Sequence, residues 1–287
     1  MGVVSSRRRF INGALGCLTL PASASTTFGC AARLGHARGI ARTPGTLRAM
    51  TLNLAHGRGR AWTQTQARSA DWYRRNLDTV AQMLEREQPD VVALQEAELG
   101  SRWAGDFDHV AHLADRAGLA VIATTPFVSV QDRLRYGTAL LAAPDIGVDD
   151  TGGAAFSAHG RWRKGYTIAH VQTPIGGLTV TSLHLDHASA RMREAQIHEL
   201  VDELGDWAGP HLVLGDFNAP WTPGGPVGLL AAAIGHDAPP TPGPATYPRL
   251  GRHLDWILAA PPLQVMRAAV LVDDRLSDHR AVLADLR

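Results

Sequence analysis

The stretch of sequence that decides the fold reads Pro89-Asp90-Val91-Val92-Ala93-Leu94-Gln95-Glu96. A short run of four apolar residues between polar neighbours is typical of a strand that is buried on both faces. Leu77, Val80, Ala81 and Leu84 precede it at helical spacing, and the proline marks the end of that helix. A helix followed at once by a buried strand predicts the α/β class.

The same alternation of strands and helices continues along the chain. Further strands are predicted at residues 48–54, 138–141, 167–171, 178–185, 211–214, 254–258, 265–272 and 281–286. Residues 174–177 predict a hairpin turn, and the apolar spacing over residues 197–204 predicts a second amphipathic helix. Residues 219–248 are dense in Pro and Gly and predict a long surface loop with one short helix. These elements indicate layered sheets covered by helices.

The composition is that of a globular protein. Hydrophobic residues make up 45% of the 287 residues and charged residues 19%, which suffices for a buried core. The net charge of +1 argues against a protein that coats nucleic acid, since such a protein needs a strongly basic face. The two cysteines, Cys17 and Cys30, lie near the N-terminus, so the rest of the chain contains neither a disulfide framework nor a cysteine-ligated zinc.

The N-terminus has the layout of an export signal. A basic segment, Ser6-Arg7-Arg8-Arg9-Phe10-Ile11, precedes a short apolar run and a small-residue exit that ends at Ala24. The segment resembles a twin-arginine signal. We therefore expect an export signal at residues 1–24, a linker at 25–46 and one domain at 47–287, in a periplasmic or secreted protein. Lipid anchoring at Cys30 stays open.

Several predicted strands end at a polar residue that can bind a metal or a phosphate. These residues are Asn53, Glu96, His184, Asp216, Asn218, Asp255, Asp278 and His279. A single Glu or Asp after a strand is usually a turn or helix cap, but eight polar residues of this kind, four of them acidic, indicate a cleft into which rigid strands present ligands.

Oxygen ligands without cysteine favour a hard cation, Mg²⁺ or alternatively Mn²⁺. Glu96, aided by Asn53, is a candidate for holding that ion. Asp216 and Asn218 together could orient and deprotonate a water molecule. His184 and His279 could supply a proton donor and a cation that contacts phosphate. Such a set suits phosphoryl transfer, which needs mainly positioning and charge neutralisation.

The motifs resemble those of the endonuclease/exonuclease/phosphatase superfamily, which includes DNase I-like nucleases, abasic-site endonucleases, inositol phosphatases and neutral sphingomyelinases. The matching blocks, in the family order, begin at Met50, Pro89, Tyr136, Thr181, Gly215, Leu254 and Ser277. The most specific are Leu94-Gln95-Glu96, Gly215-Asp216-Phe217-Asn218 and Ser277-Asp278-His279. The resemblance implies a four-layer α/β sandwich, in which two packed mixed β-sheets are flanked by helices.

The resemblance also implies roles for individual residues. Glu96 is then the principal metal ligand with Asn53 beside it, and Asp278 supports the metal side. Asp216 activates the attacking water, and the Asn218 amide stabilises the transition state.

On the phosphate side, His279 contacts the scissile phosphate with Asp255 as its partner, and His184 binds phosphate or protonates the leaving oxygen. Arg163 or Lys164, on the preceding strand, neutralises phosphate charge, and His56 lines the cleft.

Other assignments stay open at the level of sequence. The implied substrate is a phosphate ester, either nucleic acid or a phospholipid or sphingolipid head group, and no stable protein partner is implied for an expected monomer. A phosphomonoesterase acting on a sugar or inositol phosphate and a non-catalytic binding protein are the alternatives.

Residues 182–187 nearly match a zinc-hydrolase motif, but the first histidine is replaced by Ser182. His187 is expected to cap a helix, and Trp162 and Trp221 lie where they could contact substrate.

Overall fold

A computed structural model of the chain describes residues 39–61, 66, 68–131, 133–236 and 243–287. These residues lie in one compact unit over residues 38–287. The expected export signal and residues 25–38 of the expected linker lie outside the described residues. No helix in the described ranges is long and apolar enough to cross a membrane.

The described residues form strands and helices that alternate along the chain. The strands are β1 (Leu47–Asn53), β2 (Val91–Glu98), β3 (Ala120–Val130), β4 (Leu134–Ala142), β5 (Gly147–Ala155), β6 (Gly165–Thr173), β7 (Gly176–His184), β8 (His211–Asp216), β9 (Asp255–Ala259), β10 (Val265–Val270) and β11 (Val282–Leu286). The helices are α1 (Ala70–Glu87), α2 (His109–Ala117), α3 (Ala190–Leu204) and α4 (Pro226–Ala233).

Two mixed sheets form the centre of the molecule. The first has the order β10-β11-β1-β2-β4-β3, and the second has the order β5-β6-β7-β8-β9. Within them β1 runs parallel to β2 and β7 runs parallel to β8, while the other pairs are antiparallel. With helices packed on the outer faces, the arrangement confirms the predicted four-layer α/β sandwich.

Alternation along β1 explains why the sheets stack into layers. Met50 and Leu52 pack with Leu77 and Leu84 of α1 in an outer core, whereas Ala49 on the other face joins the core between the two sheets. A third core lies between the second sheet and helices α3 and α4. Because successive side chains point to opposite faces, a strand apolar at every position is buried on both sides.

The first helix follows the sequence pattern closely. The Ser69 side chain caps its N-terminus by accepting a hydrogen bond from the backbone N–H of Trp72, and Gln88 ends it in a left-handed conformation before Pro89. The four residues at helical spacing, Leu77, Val80, Ala81 and Leu84, are all buried. The prediction for this helix is therefore confirmed.

Some boundaries differ from the sequence expectation. Strand β2 continues to Glu98, so Glu96 lies within the strand and not after it. Arg163 and Lys164 precede β6, where the sequence placed them on a strand. Helix α3 is capped by Ser189, so the expectation that His187 caps it was wrong.

Residues 39–46, which the sequence assigns to the linker, contact the body of the domain. The backbone N–H of Ile40 donates to Glu87, and that of Thr43 donates to Asp285. Arg42 forms an ion pair with Asp90. These contacts could not be predicted from the sequence because the segment has no apolar period.

Candidate active site

The tips of the central strands meet at one edge of the sandwich. In the first sheet Asn53 pairs with Gln95, and in the second Asp216 pairs with both His184 and Asp255. Of these residues, Asn53, His184 and Asp216 border a cleft of about 560 Å³. Its polar lining consists of Asn53, His56, Glu96, Lys164, His184, His187, Asp216, Asn218, Arg252, Asp278 and His279, and its apolar and aromatic lining of Trp103, Leu134, Tyr136, Trp162, Tyr247, Leu250 and Leu254.

A carboxylate–histidine pair lies at one end of the cleft. His279 Nδ1 lies 2.9 and 3.1 Å from the two carboxylate oxygens of Asp255, and His279 Nε2 lies 3.9 Å from Asp216 Oδ2. Burial alone would lower the pKa of His279, but Asp255 and Asp216 raise it to about 10. The ring is therefore an imidazolium at neutral pH and can attract a phosphate.

Asp216 is held by hydrogen bonds from two amides. Asn53 Nδ2 donates to Asp216 Oδ2 over 3.0 Å, and the backbone N–H of Asn218 donates to Asp216 Oδ1 over 2.9 Å. Burial raises the pKa of Asp216 to about 6, against the lowering effect of the positive His279. A fixed carboxylate with a pKa near neutrality suits a general base.

Backbone constraints explain the Gly-Asp-Phe-Asn motif. Gly215 has a φ of +155°, and a Cβ there would lie 2.0 Å from the Leu183 carbonyl oxygen of the parallel neighbour β7. Asn218 has a φ of +49°, and its Nδ2 donates to the Leu185 carbonyl over 2.9 Å. Asparagine tolerates this left-handed conformation better than most residues.

Glu96 projects into the cleft from an irregularity in β2. The pairing of β2 with β4 shifts between Leu94 and Ala97, and Glu96 has a φ of +48°. Its carboxylate oxygens lie 3.4 Å from His56 Nε2 and 3.7 Å from Lys164 Nζ. Burial alone would raise its pKa, but the cationic surroundings, His56 first, lower the pKa of Glu96 to about 2.

Of the two basic residues expected to neutralise phosphate, only Lys164 lines the cleft. It is buried, and its Nζ lies 2.9 Å from His184 Nε2. Burial and the charge of Lys164 lower the pKa of His184 well below its ordinary value, so the His184 ring is neutral and the charged donor here is Lys164. Arg163 is exposed and does not line the cleft, because the loop turns its side chain to solvent.

His56 stands on a tight left-handed turn. Ala55, His56 and Gly57 have φ values of 45°, 56° and 70°. The Asn53 side chain supports the turn by accepting a hydrogen bond from the backbone N–H of Ala55, and a Cβ at Gly57 would lie 2.8 Å from the His109 ring. The left-handed conformation costs a non-glycine residue about 1–2 kcal/mol. Backbone strain of this kind is typical of functional positions.

The oxygen ligands of the cleft fit a hard divalent cation. Both contacts of Glu96 are longer than a hydrogen bond, so its oxygens stay available. Burial raises the pKa of Asp278, and the negative Glu96 raises it further; a cation near the two would relieve this repulsion. A buried group of Asp216, Asp255 and His279, whose ligand atoms lie within 4.8 Å of one another, could also bind a metal.

The sequence missed several residues of the cleft. Trp103, Tyr247 and Arg252, which line the cleft, and Glu98, which is buried against His56, were not singled out; only Glu98 carried a signal, since it is an acidic residue two positions after Glu96. Trp162 lines the cleft and is 44% exposed.

Two other groups near the cleft have structural roles. Trp221 packs near Trp256 in the outer core of the second sheet and does not line the cleft. In the segment that resembles a zinc motif, Asp186 accepts hydrogen bonds from the backbone at Ala188 and Ser189, at the start of α3.

Comparison with known proteins identifies relatives of the whole domain. The family model described as Endonuclease/Exonuclease/phosphatase family matches residues 50–279. No curated protein matches the chain significantly.

Solved structures share the fold at low sequence identity. An endonuclease/exonuclease/phosphatase from Beutenbergia cavernae is 22% identical, with a TM-score of 0.62, over 84% of this chain and 71% of that one. A mannosyl-6-phosphatase from Bacteroides thetaiotaomicron is 18% identical, with a TM-score of 0.61, over 84% and 99%. The human Nocturnin catalytic domain, with bound sulfate, is 20% identical, with a TM-score of 0.62, over 86% and 96%.

Proposed function

The chain belongs to the endonuclease/exonuclease/phosphatase family, whose members are generally phosphoester-hydrolysing enzymes, and we propose that it is a metal-dependent phosphodiesterase. Mg²⁺ is the proposed ion, with Mn²⁺ as a substitute. Glu96 is its principal ligand, with Asn53 and Asp278 beside it. When bound, the cation neutralises charge on the phosphate oxygens.

One observation carries the proposal: a continuous row of ionisable side chains lines the floor of the cleft. It starts at His56 and passes through Glu96, Lys164, His184 and Asp216 to His279, with successive atoms 3.4, 3.7, 2.9, 3.4 and 3.9 Å apart. Such a row combines a metal ligand, a base and cations within reach of a single phosphate, as in-line displacement at phosphorus requires.

Each side chain then has a defined task. Asp216 accepts a proton from the attacking water, and its own oxygens are oriented by Asn53 and Asn218. His279, held by Asp255, donates from Nε2 to a phosphate oxygen. Lys164, whose Nζ lies 2.9 Å from the neutral His184 ring, neutralises the opposite side of the phosphate and is the proposed proton donor for the leaving oxygen. These hydrogen bonds preorganise the site before substrate arrives.

Aromatic side chains at both ends of this row favour a diester. The ring centroids of Trp103 and Tyr136 lie 5.1 and 4.7 Å from that of His56. The ring centroid of Tyr247 lies 4.8 Å from that of His279. A phosphodiester has two organic substituents, one for the aromatic side chains at each end of the row. A phosphomonoester has one substituent and would leave the aromatic side chains at one end without a partner. Nucleic acids and lipid head groups both meet this requirement.

The proposal is tested by comparing bis-p-nitrophenyl phosphate with p-nitrophenyl phosphate as substrates of the full chain, in Mg²⁺, Mn²⁺ or EDTA. We expect faster hydrolysis of the diester and no hydrolysis in EDTA. The variant Asp150→Asn, which changes an exposed carboxylate on β5, should behave as the wild type.

The alternatives give different results in the same assay. Faster hydrolysis of the monoester would replace the diesterase by a phosphomonoesterase. A protein that binds metal but hydrolyses neither ester, nor DNA, RNA or sphingomyelin, would be a binding protein with this fold.

A further inference from the structure

A second carboxylate–histidine pair lies at the other end of the row of ionisable side chains from His279. His56 Nδ1 lies 2.6 Å from Glu98 Oε1, and His56 Nε2 faces Glu96 at 3.4 Å. The order carboxylate, imidazole, carboxylate is the same as in Asp255, His279 and Asp216. The site proposed above uses Glu96 but leaves Glu98 without a task.

Glu98 is an unusual residue to bury without a purpose. Its side chain is fully buried, and its Oε1 also accepts a hydrogen bond from the indole N–H of Trp103 over 3.1 Å. Its other oxygen has no hydrogen-bond partner among the residues that the structure describes. A buried carboxylate oxygen without a partner is costly, so stability alone is a poor reason for this glutamate.

The surroundings fix the His56 ring in one orientation. Trp103 and Tyr136 contact it edge-on, with interplanar angles of 68° and 90°. With Nδ1 directed at Glu98, Nε2 is the nitrogen presented to Glu96. His56 and Glu96 also share left-handed backbone, so two strained residues are directed at each other across the cleft.

We propose that Glu98 is a positioning residue, which acts through His56 to hold the Glu96 carboxylate in the orientation that binds the metal. Glu98 orients the imidazole, and the imidazole lies against the Glu96 carboxylate at 3.4 Å, where its bulk limits the rotation of Glu96 while leaving the carboxylate oxygens available to a metal. The inference rests on the proposed role of Glu96 as a metal ligand. Partners of this kind behind metal ligands typically contribute about 10–100-fold in metal affinity.

The test measures Mn²⁺ binding to the full chain by titration calorimetry, without substrate. Glu98→Ala should raise the dissociation constant for Mn²⁺ by about 10–100-fold, and Glu98→Leu, which fills the buried volume, should do the same if the alanine variant does not fold. Glu98→Gln keeps an oxygen acceptor for His56 and should restore most of the affinity.

Two further variants separate positioning from a general structural effect. His56→Ala should match Glu98→Ala, and the double variant should bind Mn²⁺ no more weakly than either single variant, because residues that act as one unit are not additive. Glu87→Ala removes another buried glutamate, which accepts a hydrogen bond from Ile40; it should lower the Tm in EDTA without changing Mn²⁺ affinity.

The inference is overturned if Glu98→Ala or Glu98→Leu binds Mn²⁺ like the wild type, if the losses at His56 and Glu98 add, or if Glu87→Ala weakens binding equally. Its failure differs from failure of the proposed function. Glu98-dependent Mn²⁺ binding by a protein that hydrolyses no phosphoester would refute only the function. A metal-dependent hydrolase whose Mn²⁺ affinity does not depend on Glu98 would refute only the inference.

Discussion

Three residues of the cleft, His56, Glu96 and Asn218, adopt left-handed backbone conformations without being glycine. Strain of this kind persists only where the surrounding structure enforces it. In Glu96 it results from the shifted pairing between β2 and β4, which directs the carboxylate into the cleft. The residue is therefore placed for its chemistry at a cost in stability.

This cost can be measured by comparing Glu96→Gly with Glu96→Ala. Both variants lose the carboxylate, but only alanine keeps a Cβ at a φ of +48°. We expect Glu96→Gly to be the more stable by about 1 kcal/mol in urea unfolding with EDTA present. Because glycine has more backbone freedom in the unfolded chain than alanine, a Glu96→Gly variant that is less stable than Glu96→Ala would contradict strain at residue 96.

At the same scale, the sequence predicted those site residues that belong to short motifs at strand tips. Asp216, Asn218 and His279 are of this kind, and the structure brings them together. Glu98 is buried behind His56, which lines the cleft, and Tyr247 reaches the cleft from a Pro- and Gly-rich loop. Tyr247 belongs to no local pattern, and Glu98 is marked only by its position two residues after Glu96, so no motif identified either residue.

At the scale of elements, an ion pair joins the two central strands β1 and β11. Arg48 and Asp285 face each other in the register, with Nε and Nη2 of the guanidinium 2.7 and 3.0 Å from the two carboxylate oxygens. Arg48 Nη1 also donates to the carbonyls of Ile40 and Glu87. The pair thereby connects the sheet, the end of α1 and the N-terminal segment of the domain.

We expect Asp285→Asn to lower the free energy of unfolding by about 3–5 kcal/mol at pH 7, because it leaves a buried guanidinium without its counter-charge. Burial opposes ionisation of Asp285, but its hydrogen bonds with Arg48 and Thr43 hold its pKa below the ordinary value. A carboxylate with a depressed folded-state pKa stabilises above its unfolded pKa of about 3.9 and loses that contribution as the pH falls through the folded value.

Urea unfolding of both proteins between pH 7 and pH 3 checks this expectation. The difference between wild type and Asp285→Asn should be constant above about pH 5 and should shrink below about pH 4. A difference that does not depend on pH would show that the charge of Asp285 contributes nothing.

The elements themselves were predictable where they are apolar. The sequence predicted strands β1, β2 and β8 and helix α1 because each contains a clear pattern of buried apolar residues. Strand β5 was not, because it is an edge strand with two aspartates and three glycines, mostly exposed, and such residues are depleted in strands. Helix α2 is nine residues long and offers too few turns for a clear period.

At the scale of the whole molecule, the two sheets bring together residues that are far apart in the chain. Asn53 and Glu96 come from the first sheet, and His184 and Asp216 come from the second, yet Asn53 donates directly to Asp216. The sequence could predict each strand tip but not this contact, since it depends on how one sheet packs on the other. The packing of the sheets thus places the proposed metal ligands opposite the proposed base.

The most direct test of the central claim is the kcat of Asp216→Asn for bis-p-nitrophenyl phosphate at saturating Mn²⁺. Asparagine keeps the shape of Asp216 and one of its two acceptor oxygens, but it cannot take a proton from water. We predict a loss of about 10²–10⁴-fold in kcat, with the fold intact. A rate near that of the wild type would contradict the claim that Asp216 activates the water in a phosphoester hydrolase.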